Sequence, residues 1–284
     1  MISINNIFNQ RYNGKTIFFP SYKNSLKKTV ETIIGNSSCD YTYFIYSNAF
    51  DSLTNESVEE LKNNFLQTTF LSVDLMFEKK IKQMCKKCGN NGIIFYFETY
   101  SYKTKYIFRF EFLKTLKRNF PNLQIIVNNT SVTSVIFNPF IFPEVDIVLN
   151  NLGKFGDTIY GNVICRSDVI FEKLKEYNVD CNFMIEKIKD IDSNAKKLSI
   201  KTMYAIDKMR EKNMEVYHPY LEYNDSNFLA LKYFKGCFPP HLYIKYSYND
   251  NIDKSGKNNF ISYFGIEEDI FEIDENNYYL TIGK

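Results

Sequence analysis

The chain has 284 residues, 44 % of them hydrophobic, and a formal net charge of +2. That length buries a sizeable core, and the balanced charge excludes a dedicated nucleic-acid surface, which shows as a strong basic stripe. No apolar run reaches the roughly 20 residues that cross a bilayer, and MISINNIFNQRYNG lacks the charged-then-apolar order of a secretory signal. A cytoplasmic protein without membrane partners is therefore expected. The six cysteines, at 39, 85, 88, 165, 181 and 237, are scattered and expected to be free. Only Cys85 and Cys88 form a CxxC, with no second pair or nearby histidine to complete a metal set, and it reads as a helix end before Gly89.

Residues 1–40 hold a short apolar run, TIFFP, and a helical stretch over Asn24–Ile34, and read as a lead-in layer or an extra strand. From Tyr41 onward, runs of β-branched and aromatic residues recur at Tyr41–Ser47, Ile93–Thr99, Leu123–Asn129, Val145–Asn151, Val179–Ile185, Met214–Leu221, His241–Tyr248 and Phe260–Ile266. Several are almost continuously apolar, as strands buried on both faces are. Helical periodicity fills Glu56–Gln67, Leu75–Lys87, Phe108–Arg118, Asp168–Tyr177, Ser193–Glu211 and Ser226–Phe234. About eight strand–helix units predict a single α/β domain over 1–284: a (β/α)8 TIM barrel over 41–270, lacking its last helix, with a hairpin at 271–284. An open doubly wound sheet is the alternative, although no GxGxxG or GxxxxGK[ST] marks its first turn.

Barrel chemistry sits at the C-terminal ends of strands. Those ends are rich in amides and carboxylates: Ser47; Glu98 and Thr99; Asn128, Asn129, Thr130 and Ser131; Asn150 and Asn151; His218; Lys245; and Glu267, Glu268 and Asp269. In the last group, neighbouring carboxylates repel unless a cation, a ligand or solvent relieves them. Of the two histidines, His241 begins a strand and reads as structural, whereas His218, near a strand end, is the better general acid or base.

Three segments resemble the zinc-dependent β-keto acid cleavage enzymes, a barrel family that exchanges acyl groups between a β-keto acid and acetyl-CoA. Tyr263–Asp269, YFGIEED, resembles the family's RVGLEDN. Phe110–Ser131, FEFLKTLKRNFPNLQIIVNNTS, resembles its FREVIERIRERCPDLIINLTTGG, and Asn150–Asn162, NNLGKFGDTIYGN, its NLGSMNFGDxVFxN. The family holds zinc with a His-x-His pair where this chain has Phe95 and Phe97, and phenylalanine has no lone pair to give.

The resemblance implies a diverged member in which zinc is not expected, no cofactor is covalently bound and acetyl-CoA is the candidate co-substrate. Its reaction is carbon–carbon cleavage or acyl transfer on a small keto acid or acyl-CoA. Glu267, Glu268 and His218 are then the catalytic candidates. Asn129, Thr130, Asn151, Lys245 and Glu98 are the substrate-binding ones, and a homo-oligomer is compatible with the missing helix. Two further readings stand beside it: a non-catalytic barrel that binds a metabolite or protein, and an unrelated TIM-barrel lyase or isomerase.

Overall fold

The computed structural model describes residues 3–48, 50, 52–101, 106–152, 160–182, 185–211, 213–221, 226–234, 236–239, 241–245, 270–274 and 277–281. In chain order they form α1 (Ile4–Tyr12), β1 (Lys15–Phe19), α2 (Tyr22–Asn36), β2 (Thr42–Ser47), α3 (Ser52–Asn64), β3 (Thr68–Val73), α4 (Glu78–Lys87) and β4 (Gly92–Glu98). A small ladder follows, β5 (Tyr100–Ser101) with β6 (Tyr106–Ile107), then α5 (Glu111–Asn119), β7 (Leu123–Asn128), α6 (Thr133–Ile136), β8 (Ile147–Asn151), β9 (Gly161–Cys165) and α7 (Asp168–Leu174). The rest is α8 (Ile185–Glu211), β10 (Glu215–Tyr217), α9 (Asn227–Phe234), β11 (His241–Lys245), β12 (Ile270–Asp274) and β13 (Asn277–Thr281).

Seven strands make one sheet in the order β1-β9-β8-β7-β4-β2-β3. Strands β3, β2, β4, β7 and β8 run parallel, while β9 runs antiparallel to both β8 and β1. The alternation of side chains explains the apolar runs. On β4, Ile93, Phe95 and Phe97 enter one core, while Ile94 and Tyr96 enter the other. On β9, Ile164 faces the first core, and Val163 and Cys165 the second. Both faces are covered, so both parities are apolar. Short serine caps start the helices that do the covering, with Ser21 and Ser167 accepting from Asn24 and Ile170 at α2 and α7.

The expected TIM barrel is corrected. Among the described residues, β1 and β3 each pair on one side only, so the sheet is open. The link from β8 to β9 is shorter than the dozen or so residues that a parallel crossover needs, and β9 returns antiparallel. The open sheet stood only as the alternative, because strand–helix alternation is common to both architectures.

Met214–Leu221 and His241–Tyr248, read as barrel strands, supply β10 and β11 to a second sheet, antiparallel, in the order β10-β11-β13-β12. The described residues of Val179–Ile185 form no strand. Asp180 accepts from the Asn182 backbone in an Asx turn, and Ile185 already opens α8, a 27-residue helix roughly 40 Å long. The eighth barrel helix expected to be missing has no counterpart, because the described residues form no barrel for it to close. Among the described residues no helix is long and apolar enough to cross a membrane.

Candidate functional site

In open α/β sheets ligands bind beyond the carboxyl ends of the parallel strands. Here those ends carry Ser47 on β2, Glu98 and Thr99 after β4, Asn128, Asn129 and Thr130 after β7, and Asn150 and Asn151 on β8. All but Asn151 are buried. The structure thus brings Glu98, Asn129, Thr130 and Asn151 to one edge.

Two sets of hydrogen bonds organise that edge. In the first, the Asn128 side-chain amide lies 3.4 Å from Glu98 Oε1 and 3.4 Å from Thr54 Oγ1 in the first turn of α3, while its Oδ1 accepts from Thr130 N at 3.1 Å. A carboxylate only 2 % exposed is thereby held beside the start of a helix whose first turn has no acidic residue. The second set is a chain. Thr99 Oγ1 donates to Asn129 Oδ1 at 2.7 Å, and Asn129 Nδ2 donates to the Tyr12 hydroxyl at 3.2 Å and to Phe137 O at 2.9 Å. Tyr12 then donates to Asn150 Oδ1 at 2.9 Å, and Asn150 Nδ2 to Asn162 Oδ1 at 2.8 Å. Burial pushes the Tyr12 phenol up to about 12, against the lowering pull of its bonds to Asn129, Asn150 and Ser134, so the hydroxyl keeps its proton as a neutral donor.

This second chain fixes roles. Asn129 spends its amide on Thr99, Tyr12 and Phe137, and Thr130 Oγ1 accepts from Asn151 N at 2.8 Å, so both tie strand ends together. Reading the sequence missed Tyr12, one of 22 tyrosines in a segment taken as a lead-in. Nothing in its local pattern distinguishes it.

Four expected residues lie elsewhere or outside the described residues. Glu267 and Glu268 lie outside the described residues. Lys245 ends β11 in the antiparallel sheet, paired with Glu215 and Asn277.

His218 is fully buried after β10. Its Nε2 donates to Pro239 O at 2.9 Å and its Nδ1 accepts from Tyr220 N at 3.0 Å. Both nitrogens serve the backbone, and burial lowers the imidazole from 6.5 to about 4 despite the Pro239 bond. Below 6.5 the unfolded chain takes up a proton that the folded chain refuses until about 4, so stability is full above 6.5 and falls with pH across that window. The expected loss is about 2 kcal/mol by about pH 5, at roughly 1.4 kcal/mol per unit. An NMR titration of the His218 ring checks the cause: no titration above about pH 5 is expected, and a midpoint near 6.5 contradicts it.

The CxxC is structural. Cys88 caps α4 before Gly89 at φ 63°, and burial pushes the Cys85 and Cys88 thiols up to about 12 and 11. Among the described residues no cluster of three or more His, Cys, Asp or Glu could hold a metal. Phe95 and Phe97 stack at 4.8 Å inside the core.

No protein-family model matches the sequence, and no curated protein does. Solved structures match over nearly the whole chain. Cystathionine gamma-synthase from Xanthomonas oryzae pv. oryzae, in complex with cystathionine, superposes with a TM-score of 0.76 at 13 % identity, over 97 % of this chain and 79 % of its own. Cystathionine gamma-lyase from Lactobacillus plantarum, complexed with L-serine, gives 0.75 at 14 %, over 98 % and 80 %. A protein described as an O-acetylhomoserine (thiol)-lyase from Campylobacter jejuni, which carries an N′-pyridoxyl-lysine-5′-monophosphate, gives 0.71 at 16 %, over 97 % and 79 %.

The chain has the fold of these enzymes. That overturns the resemblance to the β-keto acid cleavage family and the reading as a TIM barrel, along with carbon–carbon cleavage or acyl transfer, the acetyl-CoA co-substrate and the lost zinc site. The segments that carried the resemblance are α5 with β7, the β8–β9 link and residues outside the description, and a buried parallel strand after an amphipathic helix looks alike in both folds. The expectation of no covalently held cofactor is corrected on the same ground, since the Campylobacter protein carries a pyridoxyl group on a lysine.

Proposed function

We propose that this chain binds pyridoxal phosphate at the carboxyl ends of β2, β4, β7 and β8 and acts on a small amino acid, making or breaking a carbon–sulfur bond. The observation that carries the proposal is the buried Glu98 carboxylate, held by Asn128 beside the start of α3, at the strand edge where this fold takes ligands. A pyridoxal site needs an acidic or cationic partner for the ring nitrogen, a phosphate cradle and a lysine. Glu98 suits the first need, and its carboxylate would hold a proton at the ring nitrogen. The backbone N–H groups opening α3 suit the second, because a helix start favours an anion and, among the described residues, the helix's own first turn carries no acidic side chain. Lys154 suits the third by sequence alone: it follows the end of β8 closely and lies outside the described residues.

When bound, the cofactor acts as an electron sink for the substrate's α-carbon. The protein's part is to orient and to exclude water. Asn128, pinned by Thr54, fixes the carboxylate, while Asn129, Thr130 and Tyr12 lock the ends of β7 and β8 so that the edge is rigid before a ligand arrives. The amino-acid class follows the ligands of two neighbours, cystathionine and L-serine. A cytoplasmic location accompanies this reading, in keeping with six free cysteines.

Incubation with pyridoxal phosphate, borohydride reduction and peptide mapping tests the proposal. The label is expected on Lys154, and Glu98→Gln is expected to weaken cofactor retention about tenfold or more, the value of a charge-assisted hydrogen bond. A wild-type chain that takes up no label, or takes it up equally on surface lysines, overturns it.

A further inference from the structure

Beside the Tyr12 chain, at the ends of β7 and β8, lies a recess lined by Arg11, Tyr12, Thr133, Ser134, Asn150 and Asn151, with Phe8 and Leu152 closing it. Its volume of about 10 Å³ is room for one water or the tip of a polar group. Among the described residues Arg11 is its only charged lining residue, with its guanidinium over the Phe8 ring at 5.5 Å. Thr133 is unusual twice over. Its φ of 55° puts a β-branched residue in the left-handed region, and its Oγ1 is buried with no hydrogen-bond partner among the described residues. Strain of this kind persists where surroundings over-determine it, and clusters at ligand sites. An orphaned buried hydroxyl costs free energy until something fills its position.

We infer that this recess is a recognition subsite for the carboxylate of a small amino acid, with the Arg11 guanidinium supplying the charge and the Thr133 hydroxyl a neutral donor. The inference rests on the strand-edge site proposed above, of which it forms the α1 side. A carboxylate oxygen fits the volume and satisfies Thr133. A cationic group would be repelled by Arg11, and an apolar one would leave Thr133 Oγ1 unsatisfied. The α-carboxylate is the feature that every amino-acid substrate shares, so a subsite for it orients the substrate without selecting its side chain.

Calorimetric titration with L-serine, L-serine methyl ester and acetate tests it, on wild type, Arg11→Gln and Thr133→Val, each checked for folding by circular dichroism. Wild type is expected to bind L-serine at least tenfold more tightly than the ester. Arg11→Gln is expected to abolish that preference, and Thr133→Val to weaken L-serine binding several-fold, so the recess is tested from two walls. Pyridoxal phosphate uptake, measured in parallel, is expected to be unchanged in both variants. An Arg11→Gln protein that keeps the preference overturns the subsite, as does a wild type that binds neither L-serine nor acetate. Failure of wild type to take up the cofactor counts against the strand-edge reading instead, and the acetate titration still judges the recess.

Discussion

Gly161→Ala is expected to cost about 3 kcal/mol of stability or more, the upper range for forcing atoms into a filled core. Gly161 opens β9 between two strands, opposite Phe19 of β1 and Asn151 of β8. A Cβ there would lie 2.7 Å from Tyr22 Cα, 2.9 Å from Tyr22 N and 3.0 Å from Ser21 O, all backbone. The start of α2 has nowhere to retreat. Ser21 caps the helix, and the Tyr22 hydroxyl is hydrogen-bonded to that of Tyr96 across the second core. Relief by a rotamer is therefore excluded, and either β9 or the start of α2 must shift. Urea denaturation measures the loss, and a cost below about 1 kcal/mol would show that the α2–β9 contact is looser than the packing implies.

Tyr12→Phe is expected to cost about 2 kcal/mol, mostly from unmet hydrogen bonds rather than lost packing. The ring stays, so its contacts with Phe8 and Phe140 stay. What goes is the hydroxyl that accepts from Asn129 and donates to Asn150. Asn129 Nδ2 keeps Phe137 O, but Asn150 Oδ1, on a residue only 3 % exposed, is left facing a ring edge. Tyr233→Phe provides the comparison, since that hydroxyl bonds Glu111 and Phe110 N and not the amides of the Tyr12 chain. Both variants are expected to lose stability in denaturation, while Tyr12→Phe alone loosens the β7 and β8 ends, read as faster amide exchange at Asn129 and Asn151. Equal exchange in the two variants would make Tyr12 an ordinary core residue.

How much of this the sequence discloses depends on range. Local signals hold: the runs at Tyr41–Ser47, Ile93–Thr99, Leu123–Asn129 and Val145–Asn151 become β2, β4, β7 and β8, and all seven expected helices appear within a few residues of their places, with α8 starting earlier. Strand direction and closure are not local. β9, GNVIC, is too short and lies too close to β8 to register, yet its reversal makes the sheet open rather than closed. β3, TTFLSV, is an edge strand with a half-exposed face and a polar pattern. Polar strand ends point to the same edge in a barrel and in an open sheet, which is why Glu98, Asn129, Thr130 and Asn151 meet although the architecture differs. Arg11, Tyr12 and Thr133 join that edge through contacts more than a hundred residues apart in sequence for Tyr12 and Asn129, and no spacing rule reaches so far.

The most direct test of the account is a crystal structure of the protein grown with pyridoxal 5′-phosphate. Density for the ring is expected beside Glu98 at the ends of β4 and β7, with the phosphate at the start of α3 and the Lys154 side chain joined to the cofactor. Cofactor density elsewhere on the chain, or none at this edge at saturating concentration, would contradict it.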